Sequence, residues 1–350
     1  MSGSQELFSA INELLKNTAR FVPAAFHIHS PASHDWPRPA ADLEINDRQR
    51  FLSEGGEDAF VRCLAQHYRI VCITDHMKTR YACRLAAAAT KRNDLTVFPG
   101  MEVSCRIGAG IDEQVHVLVI FPPDRDFSAI ERIFSGGDLP GEPTRNGTEE
   151  FRLPCSFAEW SQRVRDEGGL VIPAHVDQRS RGHRAHFRAM RDASVRMLVL
   201  NIGDERVIDE QREIAAEYRS ALLESGVDAI EIMKSEDRQH YVNTQTADGR
   251  PLTLPCVIRS DHHCIEDLRN ADRTTYLKVS RLDFGSLKQA LEFHETRIKF
   301  QPDLLPSPSP RLIGIHICSP GNGLFKDAII AFNENLNCLI GPRGSGKVTV

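Results

Sequence analysis

Short apolar segments recur along the whole chain, and polar side chains follow most of them. Segments of this kind occupy residues 22–29, 68–76, 94–103, 114–121, 168–175, 196–202, 227–233 and 255–262. Helical stretches such as EDAFVRCLAQH (57–67) and FAEWSQRVRDEG (157–168) lie between several of them. Near-continuous apolar runs are typical of buried parallel strands, and their alternation with helices is typical of α/β folds. The pattern therefore predicts an α/β barrel or a doubly wound sheet.

The overall charge and the cysteines argue against several classes of protein. A net charge of −5 over 350 residues gives no global basic signature for nucleic acid, so a polyanion would need a local basic patch. The nine Cys residues are scattered without CxxC pairs, which favours reduced thiols in the cytoplasm over disulfides or a Cys-type zinc site. Residues 1–21 are predicted to form an amphipathic helix and not a signal peptide, and no apolar run is long enough to span a membrane.

Histidines and carboxylates cluster at the ends of the predicted strands. His27 and His29 alternate with Ile28, so both imidazoles point to the same face of a strand. The other residues of this kind are Asp75, His76, Glu102, His116, His175, Asp261 and His263. Barrel folds place their active sites where parallel strands end, and His, Asp and Glu are typical ligands of zinc-like ions. The sequence therefore predicts a metal site at one end of the sheet.

Each of these residues also has an interpretation without a metal. An HxH pair occurs by chance, Asp75 could cap the helix that follows it, and a histidine such as His116 could be packed or solvated. These interpretations weaken when the residues are taken together. Five strand ends carry residues of the metal-binding type, and a sixth segment carries His116 within it.

The order of the motifs is more specific than any single residue. The series HIHSPASHD, ITDH, PGMEVS, VHVLVIF, IPAH and RSDHH resembles the motifs of the PHP family over about residues 22–300. That family includes histidinol phosphatase, exonuclease domains of bacterial replicative polymerases, and small nucleotide or oligonucleotide phosphoesterases. The resemblance implies a distorted (β/α)7 barrel with metal ions at the carboxyl ends of its strands.

The resemblance also divides the ligands among three ions. The first ion would be held by His27, His29, Glu102 and Asp261, the second by Glu102, His116 and His175, and the third by Asp35, His76 and His263. Glu102 would bridge the first two ions, and His34 competes with Asp35 for the third. The D-x-H spacing selects His263 over His262, and Asp75 would orient an imidazole.

The chemistry of such a site is phosphoester hydrolysis. Metal ions about 3.5–4 Å apart hold the oxygens of a phosphate and lower the pKa of bound water. Mixed nitrogen and oxygen ligands suit Zn²⁺, Mn²⁺ or Fe²⁺, and the sequence does not choose among them. We therefore expect two to three divalent ions, with Glu102, His175 and Asp261 as catalytic residues.

A basic stretch, QRSRGHRAHFRAMR (178–191), follows His175 directly. If this stretch is helical, Arg181, Arg184 and Arg188 fall near one face, and Arg179 adds to the patch. An arginine face could bind a nucleic-acid backbone or a nucleotide phosphate, or it could be a solvated helix face. Its local concentration of charge, in a chain of net charge −5, favours substrate binding.

The last residues resemble the start of a second domain. Strands are predicted at 311–319, 327–333 and 335–341, and the motif G-x-x-x-x-G-K follows. Its nucleotide-binding residues would be Gly341, Gly344, Gly346 and Lys347, but Val348 stands where a Ser or Thr normally binds Mg²⁺. The alternative is a Gly-rich turn that matches the motif by chance. The run from residue 311 resembles the opening of SMC- and RecF-like ABC ATPases, and the whole arrangement is similar to the TrlF-type PHP–ATPase family.

These expectations combine into one organisation. It has an N-terminal helix at 1–21, a PHP phosphoesterase domain at 22–300, a linker at 301–310 and the truncated start of an ATPase domain at 311–350. ATP with Mg²⁺ would bind only to a longer form, and oligomers could form through the ATPase part. We expect a cytoplasmic hydrolase acting on nucleic acid or nucleotides, in DNA or RNA processing, repair or defence. The alternatives are a small-molecule phosphatase of the histidinol-phosphatase type and a catalytically silent metal-binding module that regulates an ATPase.

Overall fold

The computed structural model describes residues 3–16, 18–33, 36, 55–106, 114–125, 130, 133, 151–152, 157–175, 227–245, 251–304, 306, 310–318, 327–334, 337–338 and 340–341. The helices are α1 Gly3–Lys16, α2 Gly56–His67, α3 Arg80–Ala89, α4 Phe157–Asp166, α5 Phe284–Glu292 and α6 His294–Arg297. The strands are β1 Arg20–Ile28, β2 Ile70–Ile73, β3 Thr96–Arg106, β4 Gln114–Ile120, β5 Phe151–Arg152, β6 Leu170–Pro173, β7 Ile230–Ile232, β8 Thr244–Gln245, β9 Pro251–Leu252, β10 Cys256–Ile258, β11 Thr275–Val279, β12 Ile298–Lys299, β13 Gly314–Ile317 and β14 Ala328–Ala331. The predicted strand at 196–202 lies outside the described residues.

The main sheet has eight strands and curls into a half-barrel. Its order is β12-β11-β1-β2-β3-β4-β6, and β5 pairs with β3. The prediction of parallel strands is confirmed for β1, β2 and β3, but it is wrong for β4, which is antiparallel to both β3 and β6. Only residues 107–113 join β3 to β4, too few for the crossover that a parallel pair needs. The fold is nevertheless α/β, as predicted.

A separate parallel pair, β7 and β10, links the two sides of the half-barrel. The backbone N–H of Asp228, just before β7, donates to the carbonyl of Val171 in β6 at 3.0 Å. Beyond β10, the backbone N–H of His29 donates to the carbonyl of His262 at 3.0 Å. These bonds bring the ends of β1, β6, β7 and β10 to the same edge of the fold.

Apolar side chains pack on both faces of the main sheet. Ala24 and Phe26 of β1 belong to one buried cluster, while Ala25 and Ile28 belong to the other. The second cluster includes Leu64 of α2, one of several apolar residues that recur at helical spacing on that helix. Because both faces of β1 are covered, the polar residues at its end are also removed from water.

The predicted strands at 311–319 and 327–333 form an antiparallel hairpin, β13 and β14, which packs against α1. Ile11 of α1 is buried at this contact, and a methyl group added to Gly314 would lie 3.0 Å from its Cδ1 atom. In the predicted third strand, 335–341, residues 337–338 and 340–341 are described and are not in a strand. The start of the predicted linker, Gln301–Asp303, forms a 3₁₀ turn in which Asp303 pairs with Arg238 at 2.8 Å.

Candidate metal centre

The predicted ligands that the structure describes lie together at one edge of the sheet. They are His27 and His29 at the end of β1, His76 after β2, Glu102 in β3, His116 in β4, His175 after β6, and Asp261 and His263 after β10. His116 lies near the start of its strand, yet it reaches the same edge because β4 is antiparallel to its neighbours. Its partner across the ladder is Ser104 of β3, and its carbonyl accepts a hydrogen bond from Ala174.

Glu102 lies at the centre of this edge and is almost completely buried. Its Oε2 atom lies 3.1 Å from His27 Nε2, 3.4 Å from His29 Nε2 and 3.2 Å from His76 Nδ1. Its Oε1 atom lies 2.5 Å from His116 Nδ1 and 3.2 Å from His175 Nε2. One carboxylate therefore contacts five imidazoles, with its two oxygens facing different groups. This division is what a carboxylate that bridges two metal ions requires.

Asp261 is the second carboxylate of the edge. Its Oδ1 atom lies 2.8 Å from His263 Nε2, 3.6 Å from His29 Nε2 and 3.7 Å from His27 Nε2. Its Oδ2 atom accepts a hydrogen bond from Nε of Arg259 at 2.8 Å, and Nη2 of the same guanidinium is also close. One oxygen thus faces the histidines and the other is held by the arginine. Arg259 was not among the predicted site residues.

At this edge, three groups of side chains place their ligand atoms within 4.8 Å of one another. They are His27, His29 and Asp261; His27, Glu102 and His175; and His29, His76 and Glu102. The first two overlap the ligand sets predicted for the first two ions. The predicted third set is divided, because His76 contacts Glu102 while His263 contacts Asp261 and stacks on His29 at 4.3 Å. Asp35 and its competitor His34 lie outside the described residues.

The two carboxylates remain charged despite their burial. Burial by itself would raise the pKa of Glu102, but the positive charge of His27, His116 and His76 outweighs it and holds that pKa well below its usual range. The pKa of Asp261 is likewise well below its usual range, because His27, His263 and His29 outweigh the effect of burial. Two ionised carboxylates inside a protein need positive charge beside them. Imidazole nitrogens and carboxylate oxygens together are a donor set that fits a divalent ion such as Zn²⁺, Mn²⁺ or Fe²⁺.

The net pKa shifts of two buried histidines have opposite directions. Burial alone would lower the pKa of His27, but Glu231, Glu102 and Asp261 raise it well above its usual value. Burial dominates for His175 and lowers its pKa. A histidine binds a metal through a neutral nitrogen, so His175 already favours the form that a ligand needs. At His27, a bound cation would replace the proton that the carboxylates hold there.

Glu231 of β7 is a site residue that the sequence reasoning missed. It is fully buried, and its two oxygens lie 3.1 and 3.2 Å from His27 Nδ1. Its Oε2 atom also accepts the backbone N–H of His175 at 3.1 Å and lies 3.3 Å from the Nδ1 atom of that ring. A carboxylate behind a histidine fixes the tautomer, so that the opposite nitrogen is available for a metal. The available signal was a charged residue in the middle of the apolar strand VDAIEIM.

Asp75 supports the loop that carries His29. Its Oδ1 atom accepts the backbone N–H of Ser30 at 2.6 Å, and its Oδ2 atom accepts the Ser30 hydroxyl at 2.6 Å. The prediction that Asp75 orients an imidazole remains untested by these bonds. They show that it fixes the backbone one residue after His29.

His262 lies next to two predicted ligands but has a different environment. Its Nε2 atom lies 2.8 Å from the hydroxyl of Tyr68, and both residues are buried. Burial lowers the pKa of His262 to about 3, so the ring is neutral at ordinary pH. The Tyr68 contact occupies the Nε2 atom of His262, and the prediction that His263 is the ligand stays a prediction.

Three of the four non-glycine residues with positive φ in the described part of the chain lie at this edge, and the fourth is Asn243. His175 has φ 55° and Asp261 has φ 42°, in the left-handed region that residues other than glycine rarely adopt. Met77, directly after His76, has φ 50°. Such conformations persist only where the surroundings enforce them, and they are frequent at active sites. The strain is located where the chain leaves a strand and presents a side chain to the centre.

The remaining predicted site residues lie outside the described part of the chain. They are Arg179, Arg181, Arg184 and Arg188 of the basic stretch, and Gly344, Gly346 and Lys347 of the nucleotide loop. Gly341 is described, and its role in nucleotide binding stays a prediction. Among the described residues, no helix is both long and apolar enough to cross a membrane.

Comparisons with known proteins give only distant likenesses. No family model matches the sequence. No curated protein matches it either. Endonuclease Q, in a complex with a 27-mer duplex bearing an abasic lesion at the active site, is 14% identical with a TM-score of 0.38, over 79% of this chain and 58% of that one. The lesion-specific endonuclease PfuEndoQ from Pyrococcus furiosus is also 14% identical, with a TM-score of 0.42, over 80% and 58%.

A candidate metal-dependent phosphoesterase from Bifidobacterium adolescentis is 16% identical with a TM-score of 0.37, over 77% of this chain and 95% of that one. The chain spans less than two thirds of each endonuclease that it matches. All three TM-scores lie below 0.5, so the case for a function rests on the side chains of the edge.

Proposed function

We propose that this chain is a metal-dependent phosphoesterase of the PHP type that hydrolyses phosphodiester bonds in nucleic acid. The observation that carries the proposal is the position of Glu102, whose two oxygens are shared among five imidazoles in a buried centre. A structural zinc site needs only four ligands around one ion. The larger number of convergent ligands here fits a centre with more than one ion, which is the arrangement of many phosphoesterases.

The proposed division of the ligands among the ions is the one that the resemblance implies. A first ion would be held by His27, His29, Glu102 and Asp261, a second by Glu102, His116 and His175, and a third by Asp35, His76 and His263. Bound ions would lower the pKa of water and offset the negative charge of a phosphate. Glu102, His175 and Asp261 are the proposed catalytic residues, since their ligand atoms face the shared centre.

The protein's own contribution is to position these groups and to limit access by water. Glu231 holds the ring of His27 through Nδ1 and the backbone of His175 through its N–H, and Arg259 holds one oxygen of Asp261. The side chains of His27, His29 and Glu102 are essentially inaccessible, while those of His116 and His263 are 22% and 33% exposed. The centre therefore opens to solvent on the side of His116, His263 and the similarly exposed His76, and a phosphate would enter there.

Substrate profiling tests the proposal. The chain is stripped of metal, reconstituted with Mn²⁺, Zn²⁺ or Fe²⁺, and assayed on a single-stranded oligonucleotide, nucleoside monophosphates, histidinol phosphate and bis-p-nitrophenyl phosphate. We expect hydrolysis of the oligonucleotide and of the small diester, and its loss on adding a chelator. Hydrolysis of monoesters alone would identify a small-molecule phosphatase. Metal binding without hydrolysis of any of these substrates would identify a silent module.

The basic stretch is the proposed contact with the polymer. Changing Arg181, Arg184 and Arg188 to Ala should raise KM for the oligonucleotide and flatten its dependence on salt, because fewer phosphate contacts release fewer counterions. Turnover of bis-p-nitrophenyl phosphate should not change, because that substrate is too small to reach the patch. The matched control changes the exposed residues Arg62, Lys91 and Arg281 to Ala. Equal losses on both substrates in the test variant would assign the stretch a structural role.

For the C-terminal part we propose a nucleotide-binding loop at Gly341, Gly344, Gly346 and Lys347, complete only in a longer ATPase. The proposal is supported by the β13–β14 hairpin that precedes the loop. Binding of a fluorescent ATP analogue by a longer form, lost in Lys347→Ala, is the expected result. Equal binding by Lys347→Ala would contradict it.

A further inference from the structure

A second group of metal-binding side chains lies on the β13–β14 hairpin, apart from the centre described above. It consists of His316, Cys318 and Asp327, and we name it the hairpin cluster. The register of the hairpin pairs His316 with Ile329 and Ile317 with Ala328, so the next pair is Cys318 with Asp327. Alternate residues of a strand share a face, and directly opposed residues of an antiparallel pair share it too. Strand geometry therefore brings the three side chains to one face.

With His316 Nε2 as the ligand nitrogen, the separation to Asp327 is close to the edge of a tetrahedral site and the separation to Cys318 is a few tenths of an ångström longer. His316 Nε2 lies 3.2 Å from Asp327 Oδ1 and 3.9 Å from Cys318 Sγ, and His316 Nδ1 lies 3.4 Å from that sulfur. Metal–ligand bonds of about 2.0 Å to nitrogen or oxygen and about 2.3 Å to sulfur give tetrahedral edges of roughly 3.3–3.6 Å. An ion fits among the three atoms with small rotations of exposed side chains.

The donor set differs from that of the central site. A thiolate, an imidazole and a carboxylate supply sulfur, nitrogen and oxygen, which together favour Zn²⁺ over Mn²⁺ or Mg²⁺. In the described part of the chain, His316 is the only ion-pair partner of Asp327, so no Lys or Arg there competes with a cation. The sequence spacing argued against a Cys-type zinc site because it contains no CxxC pair. The hairpin instead brings one cysteine to a histidine and an aspartate across the strands.

We propose that the hairpin cluster binds one Zn²⁺ ion, with water in the fourth position, as a structural clip. Cys318 and Asp327 stand at the two ends of the connecting segment 319–326, so the ion would tie those ends together. The opposite end of the hairpin is held by the packing of Gly314 against Ile11 of α1. The proposal is independent of the phosphoesterase centre.

Cobalt spectroscopy separates the two sites in the intact chain. Thiolate ligation to Co²⁺ gives a near-ultraviolet charge-transfer band, and the central site contributes only nitrogen and oxygen ligands. We expect this band in the wild-type chain and in Cys338→Ser, a matched control at another exposed cysteine. It should be absent in Cys318→Ser. In Asp327→Asn the affinity for Zn²⁺ should fall by more than the roughly 10- to 100-fold that loss of an outer partner costs.

Two further readouts complete the test. Cys318→Ser should bind one Zn²⁺ fewer per chain than Cys338→Ser by elemental analysis, and it should turn over bis-p-nitrophenyl phosphate at the wild-type rate. Because Cys318 is exposed, the variant should fold, which circular dichroism checks. No charge-transfer band in the wild-type chain, or a band that survives Cys318→Ser, would overturn the proposal. Loss of hydrolysis in the Glu102→Gln variant with the band intact would separate the two sites.

Discussion

The central site and the hairpin cluster contain similar ligands in opposite environments. Glu102 is 1% exposed and contacts five imidazoles, whereas Asp327 is 68% exposed and contacts one. In the interior, each charge needs compensation from the protein or an ion, because water cannot reach it. At the surface, water screens the same groups and the pair contributes little to stability. The comparison teaches that an ion bound at the buried site would replace missing solvation, whereas an ion bound at the exposed site would compete with water.

The largest expected difference is in the turnover of variants at Glu102 and Asp327, the carboxylates of the central site and of the hairpin cluster. Glu102→Gln should lower turnover of bis-p-nitrophenyl phosphate on the order of 10³-fold, since a bridging ligand contributes several kcal/mol through the ions that it holds. Asp327→Asn should leave turnover unchanged. Steady-state kinetics with saturating Mn²⁺ makes the measurement. A comparable loss in both variants would mean that the two sites are coupled.

A smaller effect is expected for Glu231, which contacts the proposed ligands His27 and His175 but is not itself a proposed ligand. Glu231→Gln should weaken metal affinity or activity roughly 10- to 100-fold, because the amide cannot replace a carboxylate that faces both His27 and His175. The matched control is Asp228→Asn, three residues earlier, whose carboxylate accepts the backbone N–H of Val171 at 2.8 Å. Isothermal titration with Zn²⁺ compares the metal affinities of the Glu231→Gln and Asp228→Asn variants. Equal affinities in the two variants would remove Glu231 from the site.

Substitution of two glycines allows the packing of the main sheet to be compared with that of the hairpin. A methyl group on Gly100 would lie 2.6 Å from the carbonyl oxygen of Val119, and one on Gly314 would lie 2.7 Å from that of Ile330. Gly100→Ala should lower the global free energy of unfolding by about 1–3 kcal/mol, because the main sheet must shift. Gly314→Ala should speed hydrogen exchange only in the hairpin and α1. Denaturant unfolding and exchange measurements would contradict this if both substitutions acted globally.

The last expected effect, which vanishes at neutral pH, is a change in the response to acid. The pKa of His262 is about 3 in the folded chain and about 6.5 when unfolded, because burial opposes its charge. Between these values the unfolded state binds more protons, so this residue makes stability fall as pH falls. In the metal-free protein, His262→Gln should reduce that slope by up to about 1.4 kcal/mol per pH unit. His316→Gln is the exposed control, and denaturation at pH 6, 5 and 4 compares them.

The sequence predicted the strand-end residues well, for a physical reason. A strand alternates its faces, and strands that are buried on both sides carry most of their polar residues at or near their ends. His27, Glu102, His175 and Asp261 could therefore be placed at one edge before any contact was known. Their roles as ligands remain predictions.

Other features depend on contacts between distant segments. β4 is antiparallel to β3 because the connection at 107–113 is short. The pattern of apolar residues predicts a strand but does not reveal its direction. Glu231 and Arg259 interact with residues from other strands, so their neighbours in the sequence do not reveal their function. α1 packs on the β13–β14 hairpin, which lies about 300 residues later in the sequence. Neither segment alone contains a pattern that predicts this contact.

The link between β10 and β1 has a consequence for how the protein folds. The backbone N–H of His27 donates to Ser260, 233 residues away along the chain, so the ligands meet only after nearly all the intervening chain is in place. Contacts at such separation form slowly, because a long loop must close before they stabilise anything. A partly folded chain would hold single histidines but no complete centre. Tight metal uptake should therefore be a late event, and it should report when the barrel has closed.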